Sequence, residues 1–151
     1  MIDLLKLPDI VDPPCWRLMP VDLSDFFRNL TMFAPTESTL CLEGVMADDI
    51  EEFLVNRPAD YQNRSIKGWF GAENKIFYTP VVKKDLELLG DLSSHHAEIE
   101  VCGHLQIYSN NRLLLSRHDL PHDPIFVSLE ITEQVVEAFC RVLGSEYSKI
   151  E

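Results

Sequence analysis

The sequence predicts an α+β fold in which about four helices pack against one face of a largely antiparallel sheet. Apolar residues recur at helical spacing in four segments, and the last third alternates between apolar and polar residues around an Asn-Asn turn. The 151 residues correspond to a single globular domain, 1–151, large enough for its own core. We expect residues 1–14 to form an irregular N-terminal arm, because Pro8, Pro13 and Pro14 interrupt regular structure.

The first part of the chain is predicted to contain two strands and two helices. In order, these are a short strand at 15–19, a helix at 22–34, a strand at 38–43 and a helix from residue 48. Asp22 can cap the first helix and Pro35 ends it. Asp48 and Glu51 have the spacing of a capping box at the start of the second helix.

The middle of the chain is predicted to contribute one strand and one helix, while residues 57–74 show no clear period. Residues 75–79 alternate like a strand. Thr79 and Pro80 are then expected to start a helix and Gly90 to end it. Val82, Leu86 and Leu89 form its predicted buried stripe.

The C-terminal third is predicted to be a three-stranded meander followed by a helix. Strands at 98–109, 112–117 and 125–130 follow one another, and residues 110 and 111 form the first turn. Thr132 caps the last helix and Gly144 ends it.

The expected hairpin register assigns residues to two faces of the sheet. If Ser109 faces Arg112, then His104 pairs with Arg117 and Cys102 with Asp119. The face toward the core would carry Ile99, Val101, Leu105, Ile107 and Leu114. The polar face would carry Cys102, His104, Gln106, Arg117 and Asp119.

The same register permits a metal site, because all five histidines lie within residues 95–122. Cys102 and His104 would stand about 6.6 Å apart on one face of a strand. His118 and Asp119 would complete a ligand set for one divalent transition metal such as zinc. One hypothesis is therefore a small metal-dependent hydrolase. The alternative explanation of these residues is a polar sheet face with incidental histidines.

Charge supports a second hypothesis, of a different class. Asp and Glu number 25 against 13 Lys and Arg, a net charge of −12, and no nucleotide-binding or hydrolase motif is present. This composition favours a non-catalytic, acidic protein-binding module of the inhibitor or immunity type with a basic protein partner. The candidate binding residues are Asp48, Asp49, Glu51, Glu52, Trp69 and Phe70. The helix macrodipole alone also explains the acidic cluster.

Several partners and locations are disfavoured by the sequence. The negative charge opposes nucleic-acid binding. The longest run without Asp, Glu, Lys or Arg is residues 101–111, too short for a membrane span, and no secretory signal is present, so we expect a cytoplasmic protein. Four dispersed cysteines are expected to be reduced and mostly buried. Homo-oligomers remain possible, since the basic segment 57–84 could pack against the acidic ends of another copy.

Overall fold

Eight strands form one antiparallel sheet in the computed structural model, which describes residues 8–57, 59, 64–67 and 73–151, with the backbone alone at 64–67, 73 and 74. The strands are β1 (Cys15–Leu18), β2 (Thr39–Glu43), β3 (Arg64–Lys67), β4 (Glu73–Pro80), β5 (His104–Ser109), β6 (Arg112–Arg117), β7 (Ile125–Ser128) and β8 (Tyr147–Ile150). Their order in the sheet is β3-β4-β2-β5-β6-β7-β1-β8. Every pairing is antiparallel, and the predicted β5-β6-β7 meander is confirmed.

In the described part of the chain, five α-helices cover one face of this sheet. They are α1 (Leu23–Asn29), which continues into a 3-10 turn (Leu30–Met32), α2 (Asp48–Val55), α3 (Lys83–Ser93), α4 (Glu98–Val101) and α5 (Glu133–Leu143). Their apolar stripes and alternate strand residues, such as Leu42, Leu105 and Val127, form the main core. The predicted α+β class is therefore confirmed. Within the described ranges, no helix is both long and apolar enough to cross a membrane.

The helix ends that depend on local chemistry are where the sequence places them. The Asp22 carboxylate accepts the backbone N–H of Asp25 at 3.1 Å and caps α1. Thr132 caps α5 in the same way, and Gly144 ends that helix with a left-handed φ of 67°.

Two predicted caps are wrong, for tertiary reasons. The residue before α2 is Ala47, so Asp48 lies inside the first turn, and the Glu51 carboxylate binds Lys75 instead of closing a capping box. Residues 79 and 80 extend strand β4, so they do not start α3, and the residue that precedes this helix is Val82. Val82 was predicted to belong to the buried stripe but is exposed.

Gly90 does not end α3, which continues to Ser93. It lies where α3 crosses α1: a Cβ at Gly90 would stand 2.7 Å from Cγ of Arg28 and 2.9 Å from the carbonyl oxygen of Ser24. The glycine therefore permits the close approach of two helices.

Replacing Gly90 with alanine should lower the free energy of unfolding by about 1–2 kcal/mol. Alanine normally stabilises a helix interior relative to glycine, so the sign of the change reports the contact with α1. Chemical denaturation of Gly90→Ala measures it, with Ser94→Ala at the exposed end of α3 as the control. A stabilised Gly90→Ala variant would contradict the close approach.

Residues 98–101 form helix α4 rather than the start of a strand, so β5 begins only at His104. The carboxylate of Glu100 accepts the N–H of Ala97 at 3.3 Å, which closes the first turn. Ile99 was expected to face the core but is 48% exposed.

A β-bulge changes the register of the β5-β6 hairpin. Ser109 faces Arg112 as predicted, but further along the hairpin Leu105, not His104, pairs with Arg117. A shift of one residue moves a side chain to the opposite face of a sheet. Arg117 therefore lies in the core and not on the polar face where it was predicted.

The face of the sheet away from the helices carries a second, smaller core. It contains Val11, Cys15, Cys41, Ile76, Tyr78, Tyr108 and Leu113. Residues 8–11 of the arm lie across it, because the Tyr108 hydroxyl donates to the carbonyl of Pro8 at 3.1 Å and Ser116 Oγ accepts the N–H of Val11 at 3.0 Å. Residues 8–14 are outside helices and strands, and residues 1–7 are outside the described part of the chain.

Candidate interaction surface

The end of β2, the loop after it and helix α4 lie side by side. The backbone N–H groups of Met46 and Ala47 both donate to the carbonyl of Glu100, at 3.0 and 2.9 Å. The N–H of Gly103 donates to the carbonyl of Glu43 at 2.8 Å. These bonds bring residues 43–52 and 96–103 into one surface, which we call the acidic face.

The acidic face is strongly negative. Its two segments contain seven carboxylates and no lysine or arginine: Glu43, Asp48, Asp49, Glu51, Glu52, Glu98 and Glu100. Lys75 of β4 contacts the acidic face, with its ammonium group 2.9 Å from the Glu51 carboxylate.

The structure divides the predicted acidic binding residues into two pairs. Asp49 binds His96 at 2.8 Å, and Glu51 binds Lys75. Asp48 and Glu52 are exposed and make no ion pair with any other residue whose side chain is described.

Trp69 and Phe70, which are within the basic segment 57–84, lie outside the described residues. Their part in binding therefore stays a prediction.

His96 lies between two carboxylates of the acidic face. Its Nε2 is 2.8 Å from Asp49 and its Nδ1 is 3.7 Å from Glu100. The hydrogen bond that the His96 ring donates to the Asp49 carboxylate raises the pKa of His96 above its ordinary value, and the charge of Glu100 adds to the effect. The same hydrogen bond lowers the pKa of Asp49.

The Asp49–His96 contact should stabilise the fold most below pH 6.5, where histidine is protonated in both the folded and the unfolded chain. Because the folded pKa of His96 is raised, this stabilisation is lost as the pH rises through that higher value. We expect His96→Gln to flatten the pH dependence of unfolding above pH 6.5, and His95→Gln, which replaces the neighbouring histidine outside this contact, is the matched control. NMR titration of the His96 ring in wild type and Asp49→Asn checks the cause. An unaltered His96 pKa in Asp49→Asn would contradict it.

The predicted metal residues come together only in part. His104 and His118 lie with ring centroids 4.8 Å apart, and the backbone N–H of Asp119 donates to Nδ1 of His104 at 3.1 Å. Cys102 was predicted opposite Asp119, but it follows α4 and is buried in the main core, where burial raises the pKa of its thiol to about 12. Among the described residues, no three His, Cys, Asp or Glu side chains are arranged to hold a metal ion.

The hydrogen bonds of the two histidines explain their positions without a metal. Because Nδ1 of His104 accepts a backbone N–H, the ring proton of its neutral form is on Nε2. Nε2 of His118 donates to the carbonyl of Asp9, 2.8 Å away. One histidine thus holds the loop after β6 and the other holds the N-terminal arm.

The buried position of Arg117 was not predicted from the sequence. Its side chain is fully buried, with the guanidinium carbon 5.8 Å from the centre of the Phe26 ring. Nη2 donates to the carbonyl of Val21 at 2.8 Å and lies 3.8 Å from the Glu98 carboxylate, which accepts the N–H of Leu23 at 2.6 Å. Burial lowers the pKa of Arg117. The side chain connects β6 to α4 and to the start of α1.

Two nitrogens of Arg117, Nε and Nη1, have no hydrogen-bond partner in the described portion of the chain. Unpaired buried polar atoms cost free energy. We therefore infer that the guanidinium fixes the relative positions of β6, α4 and the start of α1 more than it stabilises the fold. Arg117 precedes His118 in the sequence and gave no sequence signal for this role, because the bulge alone determines which face of the sheet its side chain occupies.

The fold and its surface define the class: an α+β protein with a bulged antiparallel sheet and an acidic face at one end of the central strands. Comparisons with models of protein families, with curated proteins and with solved structures found no match to this chain.

Proposed function

We propose that the protein is a non-catalytic binding module, of the inhibitor or immunity type, that engages a basic protein through its acidic face. The observation that carries this proposal is the contiguity of seven carboxylates on segments 43–52 and 96–103 without any lysine or arginine. A surface of one sign attracts a partner of the other sign and raises the rate of association.

The acidic face is also suited to binding because it is rigid. The carbonyl of Glu100 accepts two backbone N–H groups from the loop before α2, and Gly103 is bonded to the end of β2. A surface held by backbone bonds loses little conformational freedom on binding. Asp48 and Glu52 remain available for lysine or arginine of a partner.

The alternative function, a metal-dependent hydrolase, has less support. A histidine ligand needs a free lone pair, whereas Nδ1 of His104 is occupied by the Asp119 N–H and Nε2 carries the proton. Cys102 is on the core side of the sheet, and burial raises the pKa of its thiol, which opposes the thiolate that a metal requires.

A pull-down from a lysate of the source organism, washed at increasing salt, tests the proposed function. We expect the wild type to retain a basic protein that is released as salt rises, because exposed charge contacts are screened. The double variant Asp48→Lys with Glu52→Lys should weaken retention about tenfold or more. The control, Glu146→Lys with Glu151→Lys, changes the net charge equally at the β8 edge of the sheet.

The comparison of the two double variants decides the outcome. If Glu146→Lys with Glu151→Lys retains the basic protein and Asp48→Lys with Glu52→Lys does not, the contact is made by the acidic face. Equal loss in both variants would mean that only net charge matters, and equal retention in both would contradict binding through this face.

A further inference from the structure

Two large apolar side chains are exposed within the acidic face. Met46 is 69% exposed, the highest value among the large apolar side chains in the described part of the chain, and Ile99 is 48% exposed. They belong to neighbouring segments, because the N–H of Met46 donates to the carbonyl of Glu100, the residue after Ile99. We call Met46 and Ile99 the apolar patch.

The fold holds the apolar patch outward. Helix α4 directs Val101 into the main core, so Ile99, two residues earlier, is on the opposite side of the helix. The Ile99 methyl Cδ1 rests near Gly103, 3.9 Å from where a Cβ would stand. Met46 precedes the start of α2, where its backbone is fixed by the bond to Glu100.

This arrangement has the composition of a protein-protein contact. Interfaces combine an apolar centre with a polar or charged rim, and methionine is enriched at them because its side chain adapts to a partner. Here the rim is negative: Asp48 follows the patch on one segment, and Glu100 follows Ile99 on the other.

We infer that the apolar patch is the centre of the binding surface and that the partner presents an apolar side chain flanked by lysine or arginine. This inference rests on the proposed function. Charge would bring the partners together, and contact with Met46 and Ile99 would slow their separation. A second copy of the chain is a poorer occupant, because a two-fold contact through this patch would place the two sets of carboxylates against each other.

A matched pair of synthetic peptides tests the inference. Both have equal length and equal lysine content; one carries leucines at its centre and the other carries serines there. Binding to protein labelled with 13C at methionine and isoleucine methyl groups is followed by NMR. We expect the leucine peptide to bind about tenfold more tightly and to shift the methyl signals of Met46 and Ile99.

Substitutions separate the patch from the charge. The double variant Met46→Gln with Ile99→Gln should reduce the affinity for the leucine peptide to that for the serine peptide and leave the latter unchanged. The control Val142→Gln replaces an apolar side chain that is 57% exposed on α5, and it should change neither affinity.

Each failure has a different meaning. Equal affinity of the two peptides for the wild type would overturn the apolar patch and leave the charge-based function intact. If neither peptide binds, or if both bind Asp48→Lys with Glu52→Lys as tightly as the wild type, the proposed function fails and the inference with it. A dimer seen by sedimentation for the wild type but not for the Met46, Ile99 variant would also overturn the inference.

Discussion

Replacing Arg117 with alanine should lower the free energy of unfolding by about 3–5 kcal/mol. The side chain is fully buried, so alanine leaves a cavity between the sheet and α1. The carbonyl of Val21 loses its guanidinium donor and the Glu98 carboxylate loses the cation 3.8 Å away. Urea unfolding followed by circular dichroism measures the change. A loss below about 1 kcal/mol would contradict a structural role in the core.

Methionine at the same position is the matched control for Arg117→Ala. Its volume fills much of the space, and it removes the two nitrogens that have no partner among the described residues. Replacing buried charged groups with apolar side chains of similar volume is often neutral or stabilising. We expect Arg117→Met to lie within about 1.5 kcal/mol of the wild type. If Arg117→Met lowers the free energy of unfolding as much as Arg117→Ala, the stabilising contribution of Arg117 comes from its hydrogen bond to Val21 and not from its packing.

Replacing Phe139 with alanine should cost about 3–5 kcal/mol. Phe139 is fully buried on α5, and its ring centroid lies 6.0 Å from that of Phe26 in an edge-to-face contact and 5.0 Å from that of Phe33. Its loss opens a cavity where α1 and α5 meet and removes both aromatic contacts. Thermal and chemical denaturation measure the effect.

Val142→Ala is the control for Phe139→Ala on the same helix. Its side chain is 57% exposed, so the substitution should change the free energy of unfolding by less than about 0.5 kcal/mol. Alanine has the highest helix propensity, so neither substitution weakens α5 locally. Comparable losses in the two variants would contradict the assignment of the effect to the aromatic core.

The candidate surface was predictable in composition but not in arrangement. The sequence points to Asp48, Asp49, Glu51 and Glu52 because they are adjacent, and their excess of negative charge is visible without a structure. Only the fold shows that two of the four are bound by His96 and Lys75, residues distant in the chain.

The apolar patch had no sequence signal. Ile99 fits the alternation of a strand, and that pattern assigned it to the core together with Leu105. The hydrogen bonds from Met46 and Ala47 to Glu100 fix the loop before α2 beside α4, and helix α4 directs Ile99 outward. Such contacts join residues about fifty positions apart, so no local period reveals them.

The sequence by itself determined the α+β class, through the periodicity of its apolar residues. It also determined the features that depend on a few consecutive residues: the caps at Asp22 and Thr132, the end of α5 at Gly144 and the hairpin turn. These are set by side chains that bond or shape their own backbone.

The tertiary structure alone decided the features that depend on distant segments. In the run of Leu113, Leu114 and Leu115, apolar character is the same at each position, so the sequence could not place the bulge that sends Arg117 into the core. Strand β8 is short and polar, and it forms because β1 offers an edge with free backbone groups. Gly90, which looks like a helix end, is kept inside α3 by the approach of α1. In each case the deciding energy comes from packing or backbone pairing between segments that the chain order keeps apart.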